Sequence, residues 1–224
     1  LSSYNYLGLA KHPEVLQAAH AALEEYGLGA CGSPVLSGMT DLHRQLEIKL
    51  SEFLKRDATL LFNSGFSGAL GSISGLLRKG DVAILDNKSH YSLIDGATLA
   101  KAKIEFFEHN NPESLDAALT RSEGRRRLVC VEGIYSMDGD MADLPALLPV
   151  AESHGVGVMI DEAHSIFTLG QNGRGAVEHF DVENRIALQY GTFSKATAAL
   201  GGFASGEYYS VEYLRCYARS YMFS

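Results

Sequence analysis

The strongest constraint on the fold is a series of six short apolar runs separated by stretches of helical periodicity. The runs are Thr59–Phe62, Val82–Leu85, Ile104–Phe107, Leu128–Val131, Val156–Ile160 and Ile186–Tyr190. Most are continuous and not alternating, as expected of strands covered on both faces. Between them lie the helical patterns Ser67–Leu77, Ser92–Ala102, Pro112–Leu119 and Leu144–Ser153. Strand–helix repetition of this kind predicts an α/β fold with a mostly parallel sheet, right-handed crossovers and helices on both faces.

Two more helices precede the first run. Pro13 stands at a first helical position after His12, and Val15, Leu16, Ala19, Ala22 and Leu23 form a stripe that ends at Gly27. Thr40 or Asp41 caps the next helix, whose apolar positions are Leu42, Leu46, Leu50, Phe53 and Leu54. A glycine-rich connection, Gly27–Pro34, lies between them. Residues 1–39 therefore read as a lead-in segment and residues 40–224 as one large domain. The first residue is Leu1 and the last is Ser224, so the chain reads as part of a longer protein.

Composition narrows the functional classes. The 27 acidic residues outnumber the 19 basic ones, giving a net charge of −8 with no Lys/Arg stripe, which argues against nucleic-acid binding. Three cysteines in 224 residues point to a reducing, cytoplasmic setting and not to a disulfide scaffold. No apolar run approaches the ~18–20 residues of a membrane helix. No signal peptide, phosphate loop or metal-ligand spacing is visible.

In parallel α/β sheets, ligands bind beyond the carboxyl ends of the strands, so the residues after each run carry the chemistry. Ser64-Gly65-Phe66 opens a helix after a strand, a layout that aims backbone N–H groups at an anion. His90 follows the second run and can stack on a flat ring. Asp161, with His164 three residues on, follows the fifth. Lys195 follows the sixth in Gly-Thr-Phe-Ser-Lys, beside the hydroxyls of Thr192 and Ser194. Each has a plainer reading when taken alone: a βα turn, a helix-capping His, an N-cap Asp, a solvated Lys. Their order is that of a pyridoxal 5'-phosphate (PLP) site. Such a site needs an anion cradle, a stacking ring, an acid for the pyridinium and an amine for the aldehyde.

The sequence resembles the α-oxoamine synthase family of fold-type-I PLP enzymes, which includes 8-amino-7-oxononanoate synthase, 2-amino-3-ketobutyrate CoA ligase, 5-aminolevulinate synthase and serine palmitoyltransferase. The matching segments are Tyr4–Leu9, Ser37-Gly38 with Leu42-His43, Ser64-Gly65-Phe66, His90-Tyr91-Ser92, Glu132–Asp140, Asp161–Ser165, Gly170 with Gly173-Arg174-Gly175, and Gly191–Lys195. The resemblance implies an acyltransferase that condenses an amino acid with an acyl thioester, on CoA or a carrier protein, giving an aminoketone, free thiol and usually CO2. It implies that Lys195 binds the cofactor aldehyde and later moves the Cα proton. Asp161 would pair with the ring nitrogen, His164 and Ser136 would hold the ring 3-oxygen, and His90 would stack. Gly65, Phe66, Thr192 and Ser194 would hold the phosphate, with Ser64 in the same turn. Asn5 and Glu132 would face the substrate. It further implies a homodimer with sites at the subunit interface, and a small C-terminal domain outside these residues.

Some positions depart from the family pattern: Pro34 where an Arg is usual, Gly68-Ala69, Tyr91 and Thr197. These predict an altered acyl or amino-acid pocket. Two rival readings are an aminotransferase or aldolase on the same fold and a catalytically inert partner subunit. The Glu132–Asp140 and Asn5 segments weigh against the first and Lys195 against the second.

Overall fold

The computed structural model describes residues 3–223, so Leu1, Ser2 and the terminal Ser224 lie outside the described residues. A lead-in helix, α1 (Pro13–Tyr26), is followed by α2 (Asp41–Leu54) and then by alternating elements. These are β1 (Ala58–Phe62), α3 (Gly65–Leu76), β2 (Val82–Asp86), α4 (Tyr91–Ala100), β3 (Lys103–Phe107) and α5 (Pro112–Arg121). They continue through β4 (Arg127–Glu132), α6 (Leu144–Ser153), β5 (Gly157–Asp161), α7 (Ala176–His179), β6 (Leu188–Thr192), β7 (Gly202–Gly206), α8 (Tyr208–Tyr217) and α9 (Arg219–Met222).

The seven strands form one sheet in the order β1-β7-β6-β5-β4-β2-β3. The pairs β2–β3, β2–β4, β4–β5 and β5–β6 are parallel, as the sequence predicts. Strand β7 alone runs against its neighbours, antiparallel to both β6 and β1. The two faces carry separate cores. One contains Ile84, Val129, Val131 and Ile160 under Leu115, Leu147 and Leu148. The other contains Leu85, Cys130, Met159 and Tyr190 under Ile73, Leu93 and Leu214. Burial on both faces explains why the strands read as continuous apolar runs.

Strand β7 is the element that the sequence does not announce. Its residues, Gly-Phe-Ala-Ser-Gly, are mostly too small to form an apolar run, yet all five are buried. Strand β6 also lies two residues later than the run Ile186–Tyr190 suggests. The Arg56 guanidinium takes the carbonyls of Glu183 and Ile186 at 2.5 and 2.6 Å, so those carbonyls are capped before the ladder starts. Strand β3 lies at the sheet edge and is only partly covered.

The connection from β2 runs outward to β3, whereas β4 returns to the other side of β2 and leads on to β5 and β6. The order therefore reverses between β2 and β4, which opens a crevice at their carboxyl ends. The lead-in is a different kind of structure. Helix α1 buries none of its side chains, and Val15, Leu16 and Leu23 remain exposed. No helix among the described residues is long and apolar enough to cross a membrane.

Candidate active site

The carboxyl ends of β1, β2, β4, β5 and β6 open onto one cleft of about 260 Å³. Its walls include Ser64, Gly65, Phe66, His90, Glu132, Asp161, His164, Thr192, Ser194 and Lys195. Ten of the predicted site residues thus meet in one place.

The anion cradle is built by the start of α3. Ser64 caps the helix: its hydroxyl accepts the Ser67 N–H at 3.0 Å, and the Ser67 hydroxyl accepts the Ser64 N–H at 3.0 Å. The Gly68 N–H reaches the Ser64 carbonyl at 3.0 Å. The amides of Gly65 and Phe66 find no acceptor among the described residues and sit at the positive end of the helix. Gly65 is required by space. A Cβ there would stand 2.6 Å from Thr192 Oγ1, so only glycine lets the helix start lie this close to β6.

Lys195 lies on the connection between β6 and β7, and the unforeseen antiparallel strand is what fixes that connection. The Phe193 N–H donates to the Gly201 carbonyl at 3.0 Å, and Thr192 Oγ1 donates to the same carbonyl at 3.1 Å. Ser194 lies 3.0 Å from Thr192, oxygen to oxygen, so the two hydroxyls form a pair beside the amides of α3. Thr197 Oγ1 donates to the Phe193 carbonyl at 2.8 Å, so this departure from the family pattern tightens the lysine loop. Burial pushes the Lys195 amine below its usual range, and the opposing pull of Asp161 and Glu132 only partly restores it.

Asp161 and Glu132 end adjacent parallel strands at matched register. Both are buried. Asp161 Oδ1 accepts the Ala163 N–H at 2.8 Å, and Glu132 Oε1 accepts the His90 N–H at 2.5 Å. Burial raises both carboxyl pKa values, and for Glu132 repulsion from Asp161 adds to it. Burial thus favours the neutral carboxyl, more strongly at Glu132 than at Asp161, which leaves Asp161 as the carboxylate that a second cation would meet.

The imidazoles flank this pair. His90 caps α4, with its Nδ1 2.7 Å from Ser92 Oγ, which anchors the ring. Burial and then Lys195 lower its pKa. His164 is pushed down to about 4 by burial, then by Lys195 and His90, and so is neutral at pH 7. Its Nδ1 lies 2.8 Å from the Tyr6 hydroxyl, leaving Nε2 available.

Two predicted residues lie outside the walls. Ser136 is exposed on the segment after β4. Asn5 is half-buried in the lead-in, where its Oδ1 accepts the Ala10 N–H at 3.3 Å. Its neighbours reach the site instead. Tyr6 bonds His164, and the Tyr4 ring centroid lies 5.9 Å from Lys195 Nζ. Tyr190, Ala163 and Ser92 also line the cleft and were not foreseen. The Tyr190 hydroxyl donates to the Gly65 carbonyl at 2.6 Å, closing the floor under the cradle. Tyr190 is the last residue of a predicted apolar run, and such a residue is a candidate for the cleft floor.

The model of the family described as aminotransferase class I and II matches residues 1–224. The chain belongs to that family. Among curated members, 8-amino-7-oxononanoate synthase 1 of Bacillus subtilis is 42% identical over 225 residues, covering 100% of this chain and 57% of its own length. The solved Sphingomonas wittichii serine palmitoyltransferase superposes with a TM-score of 0.96 at 40% identity, covering 100% of this chain and 56% of that one. A high-resolution structure of SPT with a PLP internal aldimine gives the same score, identity and coverage. The chain thus spans little more than half the length of these family members. Its sheet and flanking helices are those of the fold-type-I PLP transferases.

Proposed function

We propose that residues 40–224 are the PLP-binding large domain of an α-oxoamine synthase, an acyltransferase that joins an amino acid to an acyl thioester with release of thiol. The observation that carries this reading is the convergence of Lys195, the buried Asp161 and the free amides of Gly65 and Phe66 on a single cleft. The resemblance across the family's motifs and the similarity to 8-amino-7-oxononanoate synthases and serine palmitoyltransferases support the acyl-transfer chemistry.

The residues present fit the cofactor. The crowded glycine at the helix start and its unpaired amides suit a phosphate, with the Ser194 hydroxyl as a further donor and that of Thr192 once it turns from the Gly201 carbonyl. The two acids opposite one amine suit a protonated pyridine nitrogen, which Asp161 would accept. His90 would cover a ring face, and His164 Nε2 would donate to the ring 3-oxygen while Tyr6 holds the imidazole. When bound, PLP supplies an electron sink for charge developing at the amino-acid Cα.

The protein's own part follows from the site. Lys195, whose amine burial holds below its usual pKa, would take the cofactor aldehyde and, once displaced, would serve as base for the Cα proton. Asp161 stabilises positive charge at the ring nitrogen as negative charge develops at Cα. Glu132 sits at the His90 side of the cleft, toward the substrate. The exposed stripe of α1 suits a second copy of the chain, and a homodimer is part of this reading.

The test is PLP titration followed by borohydride reduction. Fixation of the cofactor on the peptide containing Lys195, and its loss in Lys195→Ala, is the expected result. Substrates are then identified by free-thiol release across a matrix of amino acids and acyl thioesters. Failure of PLP to attach to Lys195 would overturn the proposal, and keto-acid formation without thiol release would favour the aminotransferase reading.

A further inference from the structure

We propose that His109 is a positioning residue which, bonded through both ring nitrogens, fastens the segment 133–143 to the end of β2 and so holds Glu132 in the cleft wall. The segment leaves β4 directly after Glu132 and folds back on itself as a tab. Ile134 bridges Met141, the Tyr135 N–H donates to the Asp140 carbonyl at 2.9 Å, and the Gly139 N–H donates to the Tyr135 carbonyl at 2.8 Å. The base of the tab belongs to the cleft. The Gly133 N–H donates to the Asp161 carbonyl at 2.7 Å, and Glu132 accepts the His90 amide. The tip carries the exposed Lys88–Asp138 ion pair at 3.0 Å and exposes Ser136 and Met137.

The fastening comes from the end of β3. His109 Nδ1 lies 3.0 Å from Oδ1 of Asp86, the fully buried last residue of β2. His109 Nε2 lies 2.7 Å from Asp140 Oδ2 on the tab. The imidazole stands edge-on to the Tyr135 ring, with centroids 4.4 Å apart. Asn110 completes the grip: its Nδ2 donates to the Met141 carbonyl at 2.9 Å, and its Oδ1 accepts the Asp143 N–H at 2.9 Å. A neutral imidazole has one N–H and cannot donate to both carboxylates, so the doubly bonded ring is an imidazolium. Burial alone would lower its pKa, but the hydrogen bonds to Asp140 and Asp86 outweigh this and raise it.

The groups facing His109 are Asp86 from β2 and Asp140 and Tyr135 from the tab. The Lys88–Asp138 ion pair, at 3.0 Å, lies on the exposed rim beside them. Losing the imidazolium proton removes one of the two charge-assisted bonds, and the buried Asp86 has the stronger claim on the proton that remains. The Asp140 bond is then the one released, and the tab loosens above the His109 pKa. The bearing of this on cofactor rests on the reading of the cleft given above. The fastening itself does not.

The experiment is a pH titration of the full chain without PLP, following His109 by NMR and the Tyr135 and Gly139 amides by hydrogen exchange corrected for intrinsic rate. His109 is expected to titrate above the ordinary ~6.5. Exchange of the two amides is expected to quicken about tenfold across the same step, the loss of one charged hydrogen bond. Asp140→Asn should abolish the step, and His109→Gln should leave fast exchange at every pH. PLP affinity should then weaken severalfold in His109→Gln while Lys195 still becomes labelled. A His109 that titrates at or below the ordinary value would overturn the proposal without any variant. So would amides equally protected at all pH in the wild type and His109→Gln. Absence of PLP binding in the wild type would instead count against the cofactor reading and leave the exchange result to decide the fastening.

Discussion

Two groups of strand-end carboxylates, a short distance apart along the same sheet edge, are treated in opposite ways. Asp86 at the end of β2 is saturated: it accepts from His109, from the Lys88 N–H at 2.9 Å and from the Asn110 N–H at 3.1 Å. Asp161 and Glu132 at the ends of β5 and β4 are also buried, yet among the described residues the only cation near them is Lys195, whose own pKa burial lowers. Burying a charge without a partner costs free energy, so a site that does so is holding the place for something else. The saturated region is a fastener and the unsaturated one is a receptor.

The sharpest way to break this comparison is Asp161→Asn. Asn keeps an acceptor for the Ala163 amide but cannot hold a positive ring nitrogen. On the proposed function, turnover should fall by about 10²–10³. The protein without cofactor should nevertheless become more stable. The sign follows from linkage: the folded pKa of Asp161 is raised, so the ionised form is disfavoured by folding, and stability is lost as pH rises through that pKa. A higher urea midpoint at pH 8 for Asp161→Asn than for wild type, together with lost activity, is the expected pair of results. A lower midpoint would mean that Asp161 is satisfied in ways the geometry does not show.

Gly65→Ala comes next in size and addresses the cradle. The added methyl meets Thr192 at 2.6–2.8 Å and Tyr190 Oη at 3.1 Å, against backbone-tied neighbours that yield little. Overpacking of this kind costs about 1–3 kcal/mol. If the helix start is pushed outward, PLP affinity should weaken about tenfold or more, with less effect on the folded state than on binding. Equilibrium titration of PLP beside a urea melt separates the two.

Much of the unsaturated region was legible in the sequence, because a polar residue at the end of an apolar run has few places to go. Asp161, Glu132 and Thr192 are in fact the last residues of their strands, not the first residues beyond them. What escaped was whatever depended on distant or featureless residues. Strand β7 has one large apolar residue, Phe203, among glycine, alanine and serine, too few to form an apolar run, yet it fixes the loop that presents Lys195. The contact of Tyr6 with His164 joins positions 158 apart, and nothing local to either announces it. The Asp86–His109–Asp140 cluster draws on the ends of β2 and β3 and on the segment after β4, and nothing local to any one of them announces the other two.

The smallest expected effect lies in that saturated region and concerns pH. Because the folded pKa of His109 is raised, its contribution to stability is fully present below the unfolded value near 6.5 and is lost as pH rises through the folded value. The difference in urea midpoint between wild type and His109→Gln should therefore be widest near pH 5.5 and narrow steadily above pH 7. Asp161→Asn should show the reverse trend at lower pH, its advantage over wild type growing from about pH 4 to its folded pKa of about 6 and level above it. Opposite slopes from His109, the cation at Asp86, and from Asp161, two strands away, would follow directly from one carboxylate having its cation built in and the other lacking it. Parallel slopes would mean that both carboxylates are structural and that the distinction between fastener and receptor does not hold.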